Sequence, residues 1–206
     1  MMAHLLIDFV WWRDAEGYRL VADGTPPEPL VFHPLGIRIV SETKPLRLVP
    51  LGGDLIPYRP LDQFGTLFRI FANDVKTPKD VLAFAQKFGP LTVDGLDKAL
   101  GEPAHDTVVH AEGMREFLSF ARGDKRLLER GIDAQLNPLG QIDIALVLDP
   151  ATNKPKLRLS PSCLLNALWV QFGQALSGDT GLRQCQHCGA WFETGVGTGR
   201  RLDAKF

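Results

Sequence analysis

Apolar residues along this chain change their spacing twice, and these changes divide the chain into three regions. Up to about residue 60 they occur in short runs rich in β-branched and aromatic residues, such as HLLIDFVWW and GIRIVSE. Proline-containing stretches such as DGTPPEP separate the runs, and proline interrupts longer elements because it fixes φ and lacks an N–H donor. We therefore predict an extended segment of short strands and irregular loops over residues 1–60.

From about residue 62 to 130 the apolar spacing becomes helical. The segment TPKDVLAFAQKFGP predicts the clearest helix, with Thr77 as cap, Pro78 in the first turn, Asp80 at the capping-box position and Gly89 at the end. HDTVVHAEGMREFLSFARG predicts another helix and DKRLLERG a short one. An earlier helical face is formed by Phe64, Leu67, Phe68 and Phe71.

From about residue 132 the apolar residues alternate. QIDIALVLD, the turn residues DPATNKP and KLRLS predict a β-hairpin. The next segment, SPSCLLNALWVQFGQALSGD, predicts a helix with Ser160 as cap and Pro161 at the first position, packed on the hairpin. We predict an α+β domain over 1–180 and a separate tail over 181–206. The expected core includes Phe84, Phe88, Phe117, Leu168, Trp169 and Phe172.

Composition narrows the class of protein. Of 206 residues, 45% are hydrophobic and 23% charged, which is typical of a globular chain and argues against disorder. No apolar stretch approaches the roughly 18 residues that a membrane-spanning helix needs, and the N-terminus lacks the features of a secretory leader. We therefore expect a cytoplasmic protein with no membrane partner. Three cysteines do not make a disulfide framework.

The most specific chemical signal is the pair Cys185 and Cys188 in the tail sequence CQHCGAWFET. Two intervening residues allow a tight turn to aim both sulfurs at one zinc ion, and Gly189 suits the positive φ of such a turn. A redox pair is the main alternative, but it normally opens a helix, and AWFET has the composition of a strand. Two thiols without a metal are the third possibility.

The ligand count predicts only half of a zinc site within these 206 residues. A structural zinc takes four ligands, and Cys185 and Cys188 are two. His187 lies between them, where it would point away from a shared metal. Cys163 falls early in a predicted helix, where a small buried apolar role is expected.

The tail also resembles a known family. It is similar to the first half of the C-terminal zinc finger in bacterial proteins related to the stress-response regulators that pair an ABATE domain with a CGNR-type zinc finger. That resemblance implies zinc as cofactor, a second Cys/His pair shortly after a KF-like segment, DNA binding and transcriptional regulation. It also implies that the upstream domain is a sensor for a small molecule or a protein. The matching residues are Cys185, Cys188, Gly189, Trp191, Phe192, Arg200 and Arg201.

Four basic residues of the tail are candidates for nucleic-acid contact: Arg183, Arg200, Arg201 and Lys205. A solvated loop is the alternative interpretation of these charges. GVGTGRR lacks the lysine, the hydroxyl residue and the following helix of a phosphate-binding loop. No catalytic residues are predicted, since the chain lacks a nucleophile elbow and a zinc-protease motif, and His105, Asp106 and His110 form the only local cluster.

Three functions therefore stand as hypotheses. The first is a regulator that binds nucleic acid through a zinc-finger tail. The second is a protein-interaction module whose zinc tail is purely structural. The third is a thiol-dependent enzyme that uses Cys185 and Cys188.

Overall fold

The structure is a computed structural model and describes residues 6–22, 31–32, 38–39, 45–63, 66–120, 142–148, 155–177, 181–185, 187 and 191–194. The predicted α+β class is confirmed, with a β-rich start, a helical middle and then a hairpin followed by a helix. The strands are β1 (Leu6–Ile7), β2 (Trp11–Asp14), β3 (Tyr18–Ala22), β4 (Val31–Phe32), β5 (Arg38–Ile39), β6 (Leu46–Pro50), β7 (Leu55–Tyr58), β8 (Glu102–Pro103), β9 (Ile142–Leu148), β10 (Pro155–Pro161), β11 (Gly181–Gln184) and β12 (Trp191–Thr194).

The helices are α1 (Pro60–Gln63), α2 (Leu67–Asp74), α3 (Pro78–Phe88), α4 (Ala104–Phe120) and α5 (Leu164–Ser177), with a 3-10 turn over Val93–Leu96. The predicted segment 124–131 and Phe64 lie outside the described residues. Among the helices that are described, none is long and apolar enough to cross a membrane.

Short strands, as predicted, form small antiparallel sheets in the described part of the first sixty residues, apart from β1. β2 pairs with β7, and β3 pairs with β6, which also pairs with β8. Two side chains attach the β2–β7 pair to the end of α3. Trp11 Nε1 donates to the carbonyl of Pro90 at 2.8 Å, and the Tyr58 hydroxyl donates to the carbonyl of Phe88.

Helix α3 begins and ends where local chemistry predicts. The Thr77 side chain accepts from the backbone N–H of Asp80, and the Asp80 carboxylate accepts from the N–H of Thr77 at 2.8 Å. These two bonds satisfy N–H groups that the first helical turn leaves without partners. At the other end Gly89 has a φ of 75°, which a residue with a Cβ adopts only with strain.

The hydrophobic core lies among helices α2 to α5 and under β2, β3 and β6. Rings from three helices meet there: Phe172 lies 5.7 Å from Phe68, 6.3 Å from Phe117 and 5.4 Å from Trp169 between ring centroids. Each pair is close to edge-on, the arrangement that aromatic rings prefer. All six predicted core residues are at most 6% exposed: Phe84, Phe88, Phe117, Leu168, Trp169 and Phe172.

The predicted start of the helix after the hairpin is wrong by three residues. Ser160 and Pro161 continue β10, where they pair with Asp143 and Ile142 of β9. Helix α5 begins at Leu164 instead. A serine followed by proline is a good local cap, but the antiparallel ladder extends through both residues and takes precedence over that signal.

The predicted hairpin is present as β9 and β10, and β1 lies parallel to β10 on the other side. Its apolar residues do not all face the core, although α5 contacts β10 as predicted. Leu146 is 73% exposed and its neighbour Leu157 on β10 is 42% exposed. The alternating residues that predicted this hairpin therefore form an apolar face that is exposed in part.

Candidate metal-binding hairpin

The cysteine pair belongs to an antiparallel hairpin at the end of the chain. Strand β11 pairs with β12 so that Gly181 lies opposite Thr194 and Gln184 opposite Trp191. Cys185 follows β11 directly and is half-buried, whereas His187 lies in the turn and is exposed. Cys188 lies outside the described residues, but in sequence it falls within the six-residue connection from Gln184 to Trp191. The pair is therefore located in a strand-to-strand connection.

The hairpin is attached to the main domain. Strand β11 contacts α5 and β12 contacts α2. Phe192 is only 8% exposed, so its ring is removed from water at this contact. Burial of one such side chain contributes about 1.5–3 kcal/mol to the packing of the hairpin on the helices. The base of the cysteine turn is thus fixed by packing.

Of the four basic residues predicted to contact nucleic acid, only Arg183 lies within the described residues. Arg183 lies in β11, opposite Phe192 in the register. Arg200, Arg201 and Lys205 lie outside the described residues. Their sequence position, six or more residues after the end of β12, keeps them close to the hairpin along the chain.

No group of three or more histidine, cysteine, aspartate or glutamate side chains suited to a metal is found within the ranges that the structure describes. Cys163, the third cysteine, is half-buried against the core as expected. Burial raises the pKa of the Cys163 thiol, which favours the protonated, unreactive form. The chemistry of this cysteine is therefore that of a small apolar side chain.

Burial shifts the pKa values of two residues in the histidine cluster of α4, His110 and Asp106. Burial lowers the pKa of His110 to about 4, and its ring lies edge-on to Trp169 with centroids 6.4 Å apart. Burial also raises the pKa of Asp106. In the described part of the chain His105 Nε2 and His110 Nδ1 have no hydrogen-bond partner. His110 is half-buried and packs on Trp169, which indicates a structural role for this histidine.

Two buried carboxylates were not singled out by sequence reasoning. Asp14 is 5% exposed and accepts hydrogen bonds from the backbone N–H groups of Glu16, Gly17, Gly52 and Gly53. This arrangement ties the turn after β2 to the turn before β7. The adjacent glycines of LGGD are the sequence feature that could have indicated this close packing. A Cβ on Gly53 would lie 2.9 Å from Asp14 Oδ1.

Glu102 is the second of these carboxylates. It accepts from the N–H of Thr92 at 2.6 Å, from the Thr92 hydroxyl at 3.0 Å and from the Thr107 hydroxyl at 2.7 Å. Burial raises the pKa of Glu102, and these hydrogen bonds oppose that rise. The side chain joins the 3-10 turn to the first turns of α4, which is a structural role.

A groove between α2 and α3 has a volume of about 160 Å³ and is lined by Ile70, Asp74, Phe84 and Lys87 among others. Sites for small organic ligands usually have about 300–1,000 Å³. The groove is therefore too small to hold a ligand of that size.

Comparison of the chain with protein-family models, with curated proteins and with solved structures finds no match.

Proposed function

We propose that this protein is a nucleic-acid-binding regulator whose C-terminal hairpin carries a zinc knuckle. The observation that carries the proposal is the position of the cysteine pair: Cys185 directly follows β11, and the motif occupies the connection to the antiparallel strand β12. Pairing of Gln184 with Trp191 brings the two ends of this six-residue connection close together. The connection is therefore a suitable place for two thiolates that share a zinc ion.

The same position counts against the redox alternative. A reactive pair of this spacing draws its low thiol pKa from the N-terminus of a following helix. The next described element after Cys188 is a strand, Trp191–Thr194. A metal-binding role is therefore favoured over thiol chemistry.

A zinc ion at this site would be held by Cys185 and Cys188 and by two further ligands. The resemblance places a second Cys/His pair after a KF-like segment, and the present chain has Lys205 and Phe206 at that point. Zinc would close the turn and fix the direction in which the chain leaves β12. The CGNR tetrapeptide itself does not occur in these 206 residues.

Contact with nucleic acid is supported by the basic residues on either side of the motif. Arg183 precedes it, and Arg200, Arg201 and Lys205 follow it. Arginine donates two parallel hydrogen bonds to phosphate oxygens, and backbone phosphates supply most of the non-specific affinity for DNA. Of these residues, Arg183 lies in β11, opposite the buried Phe192 of β12.

The main domain is proposed to act on another protein rather than on a small molecule. Its groove between α2 and α3 is small, whereas its β9–β10 hairpin exposes several leucine and isoleucine side chains. This exposure also favours a second candidate function, a protein-interaction module in which the zinc tail is only structural.

A titration of the protein with a fluorescent DNA duplex, repeated at several salt concentrations, separates the two functions. For a nucleic-acid-binding tail we expect the logarithm of the association constant to fall linearly with the logarithm of the salt concentration. An acidic polymer without bases, such as heparin, is the control for simple charge attraction. No binding at about 50 mM salt would count against nucleic-acid contact through the basic residues of these 206 residues and would favour the second function.

A further inference from the structure

The β9–β10 hairpin turns an apolar face away from the protein. In the antiparallel register Leu146 lies opposite Leu157, and Leu148 opposite Pro155, so these residues share one face of the sheet. Their exposure is high for side chains of this type. The four residues that we call the apolar hairpin face are Ile144, Leu146, Leu148 and Leu157, which are 67%, 73%, 66% and 42% exposed.

The opposite face of the same hairpin is the more sheltered one, although it carries the charges. Lys156 and Arg158 are half-buried there, and Arg158 lies 3.6 Å from the carboxylate of Asp8. A two-faced antiparallel sheet normally buries its apolar face and exposes its polar one. In this hairpin the apolar face is the exposed one and the polar face is half-buried. An exposed apolar face of this kind is typical of an interaction surface.

The apolar hairpin face continues a surface that is half-buried against the core. Leu159, on the same side of β10, pairs in register with Ile7 of β1, and Ile7 packs against the core. Beyond that point the strands extend past the core, and exposure rises to 73% at Leu146. The hairpin therefore projects the apolar face outward from the domain.

We propose that this face is a dimer interface, in which the apolar hairpin faces of two copies of the chain pack against each other. The four side chains carry no charge and no hydrogen-bonding group, so a twofold arrangement brings no like charges together. A face of this kind has no polar group that would orient a peptide or a ligand. Alternating leucine and isoleucine side chains of one copy fill the spaces between those of the other, as in a β-sandwich.

The area of the face is close to what a small specific interface needs. Full burial of one leucine or isoleucine removes on the order of 100 Å² of apolar surface. At the exposures given above, eight such side chains in two copies bury roughly 500 Å² before their neighbours are counted. The apolar part of an interface of about 1,000 Å² is about 600 Å². We therefore expect a reversible dimer whose population depends on concentration.

Sedimentation equilibrium over a range of protein concentrations tests the dimer. The parent chain is expected to show a monomer–dimer equilibrium, and Leu146→Lys is expected to raise the dissociation constant at least tenfold. Leu146 is 73% exposed, so lysine at this position leaves the fold intact, which circular dichroism checks. Val93→Lys is the matched control, because Val93 is 59% exposed and lies in the 3-10 turn outside the hairpin.

Cross-linking distinguishes the two faces of the hairpin. Leu146→Cys places a thiol on the apolar face and Ala145→Cys places one on the opposite face, one residue away. A bis-maleimide that spans about 10 Å, the spacing of two packed sheets, is expected to link two copies of the first variant. The second variant is expected to link no more than the parent chain, whose own cysteines define the background.

Three outcomes would overturn the proposal. The first is a parent chain that is monomeric at every concentration. The second is a dimer that Leu146→Lys leaves unchanged. The third is cross-linking of Ala145→Cys in preference to Leu146→Cys, which would show association through the edge or the polar face of the hairpin.

Discussion

Both carboxylate oxygens of Asp14 accept a hydrogen bond from the backbone N–H of Gly53, at 3.1 and 3.0 Å. Gly52 and the turn residues Glu16 and Gly17 donate to the same carboxylate. One buried side chain thus connects two turns, of which the second lies 38 residues after Asp14 in sequence. The turns hold the ends of β2 and β7 in register.

Replacing Asp14 by alanine is expected to lower the free energy of unfolding by about 2–4 kcal/mol, because several backbone N–H groups lose a charged acceptor. Chemical denaturation measures the change. Asp54→Ala is the matched control, since Asp54 lies in the same turn and is exposed. A loss below about 0.5 kcal/mol for the Asp14 variant would show that water replaces the carboxylate at these groups.

Truncation of Phe172 to alanine is expected to cost about 3–5 kcal/mol in the free energy of unfolding, because the ring is 3% exposed and packs on three other aromatic rings. Phe172→Leu retains more of the volume and should cost less. Urea denaturation of both variants gives the comparison. Equal and small losses would contradict the packing of α5 described above.

The free energy of unfolding is expected to depend on pH through His110. Burial lowers the pKa of His110 to about 4 in the folded protein, below the value of about 6.5 in an unfolded chain. Between these values the unfolded chain binds the proton more readily, so stability falls as pH drops from about 6.5 toward 4. The contribution is fully present above about pH 6.5 and, at about 1.4 kcal/mol per pKa unit, is on the order of 3 kcal/mol.

His110→Gln removes this titration while keeping a side chain of similar length. The free energy of unfolding is plotted against pH for both proteins. The raised pKa values of Glu102 and Asp106 make stability rise as pH falls, opposite to the effect of His110. Because both proteins contain these two carboxyl groups, the difference between the curves reports His110 alone. The two curves should converge as pH falls toward 4. Parallel curves across this range would mean that His110 is accessible to water in the folded protein.

Zinc uptake by the 206-residue chain is expected to be weak and reversed by a chelator, because Cys185 and Cys188 supply two of four ligands. Cys185→Ser should abolish it, whereas Cys163→Ser should leave it unchanged. Elemental analysis after dialysis against EDTA measures the bound metal. Stoichiometric zinc that resists the chelator would instead require two further ligands within these residues.

The pair Arg200→Ala and Arg201→Ala is expected to weaken DNA binding and to reduce the slope of log K against log salt by about two, one for each lost phosphate contact. Arg19→Ala with Lys79→Ala is the matched control, because both residues are exposed on the main domain. If the control pair lowers the slope and the tail pair does not, the nucleic acid binds the domain and not the tail.

Much of the local structure could be predicted from sequence because its causes are local. The bounds of α3 depend on Thr77, Asp80 and Gly89, which lie within or directly beside the helix. The hairpin of β9 and β10 follows from alternating apolar residues around a turn. The six aromatic and leucine residues predicted for the core are buried because a helix packs its stripe of large apolar side chains against the rest of the protein, away from water.

Other features were decided only by tertiary structure, because they depend on which distant segments meet. Ser160 and Pro161 form a good local cap, yet pairing with β9 keeps them in a strand. Asp14 is buried because two turns distant in sequence close around it. The alternation in β9 showed that one face is apolar, but the position of the core left that face exposed.

For the candidate site, the sequence by itself determined the donor chemistry: two cysteines at metal-binding spacing followed by a strand-forming segment. Tertiary structure decided where that motif is held, since β11 and β12 pair and pack on α5 and α2. The spacing of Cys185 and Cys188 depends only on the residues between them. The surface on which a motif is anchored depends on contacts with helices that lie from 4 to more than 100 residues away, and only the folded chain brings these together.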